Sequence, residues 1–304
     1  MKIGLVLPLF SGKVERVLEA AREAEELGFD GAFVFDHFFP PGGSRDRPSL
    51  EAFTTLAAVG ASTEAITLGT LVTRASLRPG GLLAKTASWL DVATGGRLVL
   101  GIGTGDPIDR GEHEAYGIPM LGRTERRAHL EETIRALKAL FSGERFEGGR
   151  YVPPLAGPLE PPPLQQGGPP IWLGAQAEEV VRMAGRIADG WNGWGLGIDA
   201  FTERAEMLFG EAEAAGRAAE ATWAGIVLVG QDETETTELI ERRKARGMEG
   251  NIWAGTAAEL TRFVAALEAA GAAWVVVVPA GPKDRAALIG REVLPALSKR
   301  PVAR

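Results

Sequence analysis

Three short stretches of this 304-residue chain bring together residue types able to do chemistry. The first is Asp36-His37-Phe38, an imidazole beside a carboxylate. An imidazole titrates near neutrality, so His37 is a candidate general acid or base. The competing reading is that His37 only hydrogen-bonds its loop, while Asp36 caps a helix or pairs with an arginine. The second stretch is Gly101-Ile102-Gly103-Thr104-Gly105-Asp106. It fails as a dinucleotide fingerprint, because Asp106 stands where the third glycine is needed and Pro107 follows it. Its glycines instead let a flat ring approach the backbone, with Asp106 directed into a pocket. A tight turn carrying a solvent-facing acid is the alternative. In the third stretch, Gly174-Ala175-Gln176 feeds directly into a helix whose first N–H groups are left open for an anion. Most such junctions bind nothing, so this one counts only in company.

Other chemistries are excluded. The chain has no cysteine, which removes disulfides, thiolate metal sites and thiol nucleophiles together. The histidines His37, His113 and His129 lack the close spacing of a metal site, so no resident metal is expected. His113 and His129 are weaker candidates than His37, and His129 falls within a helical pattern.

The elements that must position these stretches alternate regularly. Residues 3–9 are apolar on both faces, as a strand buried under helices should be. Val14, Val17, Leu18, Ala21 and Ala24 then form one helix face, closed by Gly28. Strands follow at 32–35, 66–70, 97–102, 171–173, near Trp191, at 225–229 and at 274–278. Between them lie a helix N-capped by Ser49, a helix over 82–92 and a long helix carrying Leu130, Ile134, Leu137 and Phe141. Further helices span 177–188, begin at Phe201 and Thr234, and carry Leu260, Phe263, Val264 and Leu267. About eight strand–helix units favour a closed (β/α)8 TIM barrel, with the site at the strands' C-terminal ends. All three chemical stretches fall at such ends. Residues 143–170, rich in Gly and Pro, break the rhythm and are expected as an insertion over the C-terminal face of a single domain spanning 1–304.

Bulk properties agree. The net charge of -7 and the interleaving of basic with acidic residues exclude a nucleic-acid surface. The apolar run at 272–280 is far too short to span a membrane. The N-terminal apolar run is read as a strand, and a cytoplasmic protein is expected.

The order and spacing of several motifs resemble the luciferase-like monooxygenase superfamily, along nearly the whole chain. They include Gly28-Phe29-Asp30-Gly31, Leu68-Gly69-Thr70, Asp91-Val92-Ala93-Thr94-Gly95-Gly96-Arg97, Leu100 to Gly105, Ala188-Asp189-Gly190-Trp191 and Gly255-Thr256-Ala257-Ala258-Glu259-Leu260. Asp36-His37-Phe38 looks like the branch using coenzyme F420, an 8-hydroxy-5-deazaflavin; a Glu-His-His string is commoner in the FMN branch. The resemblance implies a non-prolyl cis peptide at Leu71-Val72. It implies ring contacts around Asp36, Leu71, Val72, Thr73, Gly103, Thr104 and Gly105, and phosphate contacts at Gly174, Ala175 and Gln176. The implied reaction is hydride transfer between the deazaflavin C5 and a small organic substrate, with His37 and Asp106 dividing the acid and base roles. Asp106 stands where sugar-phosphate enzymes of this kind carry a longer glutamate, and no basic trio suited to a phosphate is evident. A homodimer is expected by analogy. The alternatives are an FMN-dependent monooxygenase and a barrel that binds a flavin or deazaflavin without turnover.

Overall fold

The expected alternation is realised in the computed structural model, which describes residues 1–41, 46–248, 250 and 252–298. In chain order the elements are β1 (Lys2–Val6), α1 (Val14–Glu26), β2 (Gly31–Val34), α2 (Ala52–Ser62), β3 (Thr67–Thr70), the two-residue β4 (Thr73–Arg74), α3 (Gly80–Ala93) and β5 (Leu98–Gly103). They continue with the short α4 (Arg110–Ala115), α5 (Arg123–Phe141), β6 (Ile171–Gly174), α6 (Glu178–Ile187), β7 (Gly190–Trp194) and α7 (Ile198–Ala214). The last are β8 (Glu220–Gly230), α8 (Glu233–Lys244), β9 (Ile252–Thr256), α9 (Ala257–Ala269), β10 (Ala272–Ala280), α10 (Arg285–Glu292) and α11 (Leu294–Ser298).

The strands run parallel in the order β10-β1-β2-β3-β5-β6-β7-β8, and β10 pairs again with β8. That second pairing closes an eight-stranded barrel. Alternation along each strand then sorts side chains into two cores. Leu5, Leu68, Leu100, Leu173, Val227 and Val275 face outward, packed against helix residues such as Val17, Leu56, Leu83, Leu137 and Leu260. Val6, Phe33, Leu71, Val99, Trp172, Ala224, Trp274 and Val276 face inward. Phe33, Trp172 and Trp274 fill the axis with ring centroids 5.7, 5.7 and 5.6 Å apart. The barrel is therefore filled through its middle, and only its mouth is left for a ligand.

Three local expectations are corrected. The cap of α2 is Glu51, whose Oε2 accepts the Thr54 N–H at 2.7 Å, rather than Ser49. The Pro/Gly-rich 143–170 segment lies on the flank of α3 and α5, not over the C-terminal face. It joins the end of a helix to the start of a strand, so both its ends belong to the opposite end of the barrel. Buried Asp91 at the close of α3 fastens it there, accepting from Leu164 N at 2.8 Å, Gln165 N at 2.9 Å and Gln165 Nε2 at 2.6 Å. Finally, β9 was not foreseen. It takes the edge of β8 from Ile226 to Gly230, beyond the point where β7 has ended at Ala224.

Candidate active site

Residues Phe33, Phe35 and His37 follow one another at a spacing of two, on the face of β2 and its extension that looks into the barrel. Phe35 packs against the inner core, and its ring lies 6.4 Å from the His37 ring. The intervening Asp36 points to the other side and is 5% exposed. It is fully occupied: Thr73 Oγ1 donates to it at 2.5 Å, and Arg78 reaches its two oxygens at 2.5 and 3.3 Å. Arg78 also holds Glu51 at 2.6 Å and stacks over Phe53. Asp36 and Thr73 therefore brace the end of β2 against β4, and both are buried.

The acid beside the imidazole is Glu112, not Asp106. Glu112 Oε1 lies 2.8 Å from His37 Nδ1, and Glu112 Oε2 accepts the Phe38 N–H at 3.2 Å. The same carboxylate is paired with Arg74 of β4. Asp109 stands behind, 3.8 Å from His37 Nδ1 and 3.7 Å from Arg74 Nη1. Asp106 is exposed and occupied elsewhere: it caps the turn 107–109, accepting from Ile108 N at 3.3 Å, while Asp109 accepts the Asp106 N–H at 2.7 Å. Sequence proximity to β5 favoured Asp106, but that short turn directs its carboxyl back to the backbone.

Burial of Glu112 pushes its carboxyl up. The hydrogen bond and charge of His37, together with the Arg74 guanidinium, outweigh this and hold it below its ordinary value of 4.5. An ionised Glu112 can only accept, so it fixes the proton on Nδ1 and leaves Nε2 as the basic nitrogen of a neutral His37. His37, Asp109 and Glu112 have ligand atoms within 4.8 Å of one another, a spacing compatible with a cation. The Arg74 guanidinium already supplies positive charge to both carboxylates.

Beside this pair, the Leu71–Val72 peptide is cis. The Val72 side chain lies against the bare backbones of β5 and β6. A Cβ on Gly103 would come within 2.9 Å of Val72, and one on Gly174 within 2.8 Å. The glycines thus make room for Val72, and Val72, half-buried, faces the mouth in their place. Leu71 is buried beneath it in the inner core. Thr104 is half-buried, its Oγ1 bonded to Gly105 O at 3.1 Å, and Gly105 turns the chain at φ 74°.

At the β6 end, Ala175 N donates to Asn192 O at 3.2 Å, and Ala175 O accepts from Trp191 Nε1 at 2.7 Å. Gln176 Nε2 bonds Trp194 O at 2.8 Å, and Arg204 Nε bonds Gln176 O at 3.1 Å. No side chain caps α6. In front of that helix start is a concavity of about 460 Å³ lined by Arg123, Gln176, Ala177, Arg182 and Arg204, together with Glu178 and Glu179. Helix dipole and guanidinium groups suit it to an anion; Arg182 and Arg204 are also ion-paired, with Glu211 and Glu203 at 3.0 Å each, and Glu179 is drawn off by Arg127 at 3.2 Å. His113 and His129 join neither region. His113 is buried with Nδ1 3.3 Å from Pro119 O, and His129 lies on α5 with its ring 5.9 Å from Tyr151.

Arg74, Glu112 and Arg204 were not singled out from the sequence. Arg74 follows the β3 end directly, which was an available signal; Glu112 lies in a stretch with no periodicity to place it.

A family model described as luciferase-like monooxygenase matches residues 1–292. The protein from Nakamurella multipartita named F420-dependent glucose-6-phosphate dehydrogenase is 36% identical over 57% of this chain and 50% of its own length. The F420-dependent hydroxymycolic acid dehydrogenase of Mycobacterium tuberculosis is 31% identical over 71% of this chain and 58% of its own. The chain thus spans about half the length of the curated relatives it matches. Among solved structures, an F420-dependent secondary alcohol dehydrogenase with an F420-acetone adduct superposes with a TM-score of 0.83 at 18% identity, covering 97% of this chain and 98% of that one. An EDTA monooxygenase from a Chelativorans species also superposes with a TM-score of 0.83, at 15% identity, covering 100% of this chain and 95% of that one. The barrel is common to these solved structures, and the match across residues 1–292 shows that the chain belongs to the luciferase-like monooxygenase family.

Proposed function

We propose that this protein is a coenzyme F420-dependent oxidoreductase acting on a small organic substrate, with His37 as its acid–base group. The observation that carries this reading is the His37–Glu112 pair at the barrel mouth, an imidazole oriented by a buried carboxylate at 2.8 Å. The names of the relatives support the choice of cofactor. The residues present also fit such a group. Val72 and Thr104 offer an apolar and hydroxyl-bearing rim for a planar ring, while the uncapped α6 start with Arg123, Arg182 and Arg204 suits a phosphate-bearing tail.

When bound, a deazaflavin supplies a carbon that accepts or gives hydride and does not readily activate oxygen. The chain's own task is then to hold the substrate and move one proton. Glu112 keeps Nδ1 protonated and the ring fixed, so Nε2 can take a hydroxyl proton or, once charged, return one to a carbonyl oxygen. Arg74 keeps Glu112 ionised throughout. The inner core below the mouth excludes water from beneath the reacting atoms. Exposed Leu82 and Trp89, seven residues apart on α3, support the expected homodimer through that flank.

Turnover measured with and without oxygen tests this reading. Protein mixed with F420 and a panel of alcohols and carbonyl compounds should change the deazaflavin absorbance without oxygen uptake. Oxygen consumption supported by FMN, with an inert F420 control, would overturn it.

A further inference from the structure

Building on the oxidoreductase reading, we infer that the substrate taken up beside His37 is an uncharged, largely apolar alcohol or carbonyl compound, and not a phosphorylated sugar. Two independent features carry this. The first is the floor of the mouth. Phe35 and Trp194, from β strands on different sides of the barrel, meet with ring centroids 5.8 Å apart, and Phe10 stacks on Phe35 at 6.0 Å and 13°. All three are half-buried, and Val278 completes the layer with Phe35 and Trp194 above the inner core. A substrate reaching the imidazole must therefore rest on a floor that is mostly aromatic carbon, which favours apolar surface and, among the described residues, offers a phosphate no charged group, only the neutral indole N–H of Trp194.

The second feature is charge. Behind His37 stand Glu112, Asp109, Asp36 and Glu51, against the two guanidinium groups of Arg74 and Arg78. Each arginine is already held by two of these carboxylates. The cluster has an excess of negative charge, so a dianionic phosphate brought to this imidazole is repelled; Arg74 Nε and Nη1 make no hydrogen bond, but both are buried and the guanidinium is already ion-paired. The arginine-lined concavity at α6 lies at the other strand ends and is taken by the proposed cofactor tail. Several relatives carry names that specify glucose 6-phosphate; the described residues around His37 favour an uncharged substrate instead.

The test compares cyclohexanol with glucose 6-phosphate on the full-length protein. Saturation-transfer NMR reads binding of each probe without cofactor, and steady-state kinetics read turnover after loading with F420. The expected result is binding and turnover of cyclohexanol with no detectable use of glucose 6-phosphate. Trp194→Ala should raise the KM for cyclohexanol about tenfold or more, the scale of a lost apolar contact, with F420 affinity and folded-state circular dichroism unchanged. Phe10→Ala, at a more peripheral ring, provides the same comparison should Trp194→Ala misfold. Preference for glucose 6-phosphate would overturn the inference, as would F420 affinity that falls with Trp194→Ala, since the floor would then hold the cofactor. Failure of F420 to bind would instead overturn the oxidoreductase reading, with the NMR preference still deciding which probe the floor accepts.

Discussion

His37 Nδ1 and Glu112 Oε1 are 2.8 Å apart, although 75 residues separate them in sequence. The contact joins the extension of β2 to the helical segment after β5, and Arg74 on β4 completes it from the third side. Both Glu112 and Arg74 are almost fully buried, at 2% and 4% exposure. A buried ion pair of this kind contributes little net stability over an apolar replacement, but removing one partner strands the other charge.

Glu112→Gln is therefore expected to destabilise the protein by about 3–5 kcal/mol, because buried Arg74 loses its hydrogen-bonded partner and keeps only Asp109 at 3.7 Å. The double variant Arg74→Met with Glu112→Gln should recover much of that loss. Urea unfolding of the two singles and the double measures the coupling. Strict additivity would mean that the pair is not linked as described.

Acid should act on the same carboxylate. The folded Glu112 carboxyl lies below its ordinary 4.5, so its contribution to stability is complete above that value and is lost as pH falls through the lower, folded one. The stability gap between wild type and Glu112→Gln should stay constant from about pH 7 down to about pH 5, then close in more acidic solution. A gap independent of pH would show that Glu112 carries no charge in the folded protein.

Glycines at the mouth give a sharper structural test. A Cβ on Gly174 would meet the Val72 methyls at 2.8 and 2.9 Å, whereas one on Gly101 would meet the Thr70 carbonyl oxygen at 2.1 Å. Gly174→Ala should cost about 1–3 kcal/mol and be substantially rescued by Val72→Ala. Gly101→Ala should cost more and resist that rescue, because backbone cannot be trimmed. Thermal melts of the four variants decide the matter.

His37→Asn removes the basic nitrogen while filling similar space. Turnover should fall about 10²–10⁴-fold, with the limb of the pH–rate profile that reports the base also lost. Cofactor affinity should stay within about threefold, under about 1 kcal/mol. A variant that keeps both rate and pH profile would remove His37 from the chemistry.

The barrel was legible because its strands are apolar on both faces and its helices on one, so period alone sorted them. His37 was legible for the same reason, standing two residues beyond Phe35 at a strand end. Glu112 was not, since the segment after β5 has no repeating pattern and its partner is remote in sequence. Asp106 stood closer to the strand and drew the role, but a capping turn took its carboxyl. Strand β9 escaped notice because Ile252–Thr256 is mostly half-buried and pairs with β8 alone, giving no apolar run to read. The glycines closing β5 suggest room for a ring, and Gly174 of β6 an opening for an anion; Val72 instead lies against both Gly103 and Gly174, a relation visible only once β3, β5 and β6 lie side by side.

The most direct measurement is an equilibrium titration of the purified protein with F420 and, separately, with FMN. F420 should bind at least about tenfold more tightly than FMN, a difference of about 1.4 kcal/mol. Added salt and the Arg204→Ala and Arg182→Ala substitutions should weaken F420 binding, as loss of guanidinium contacts to an anionic tail requires. Tighter binding of FMN, or F420 binding indifferent to salt and to both arginines, would contradict the account.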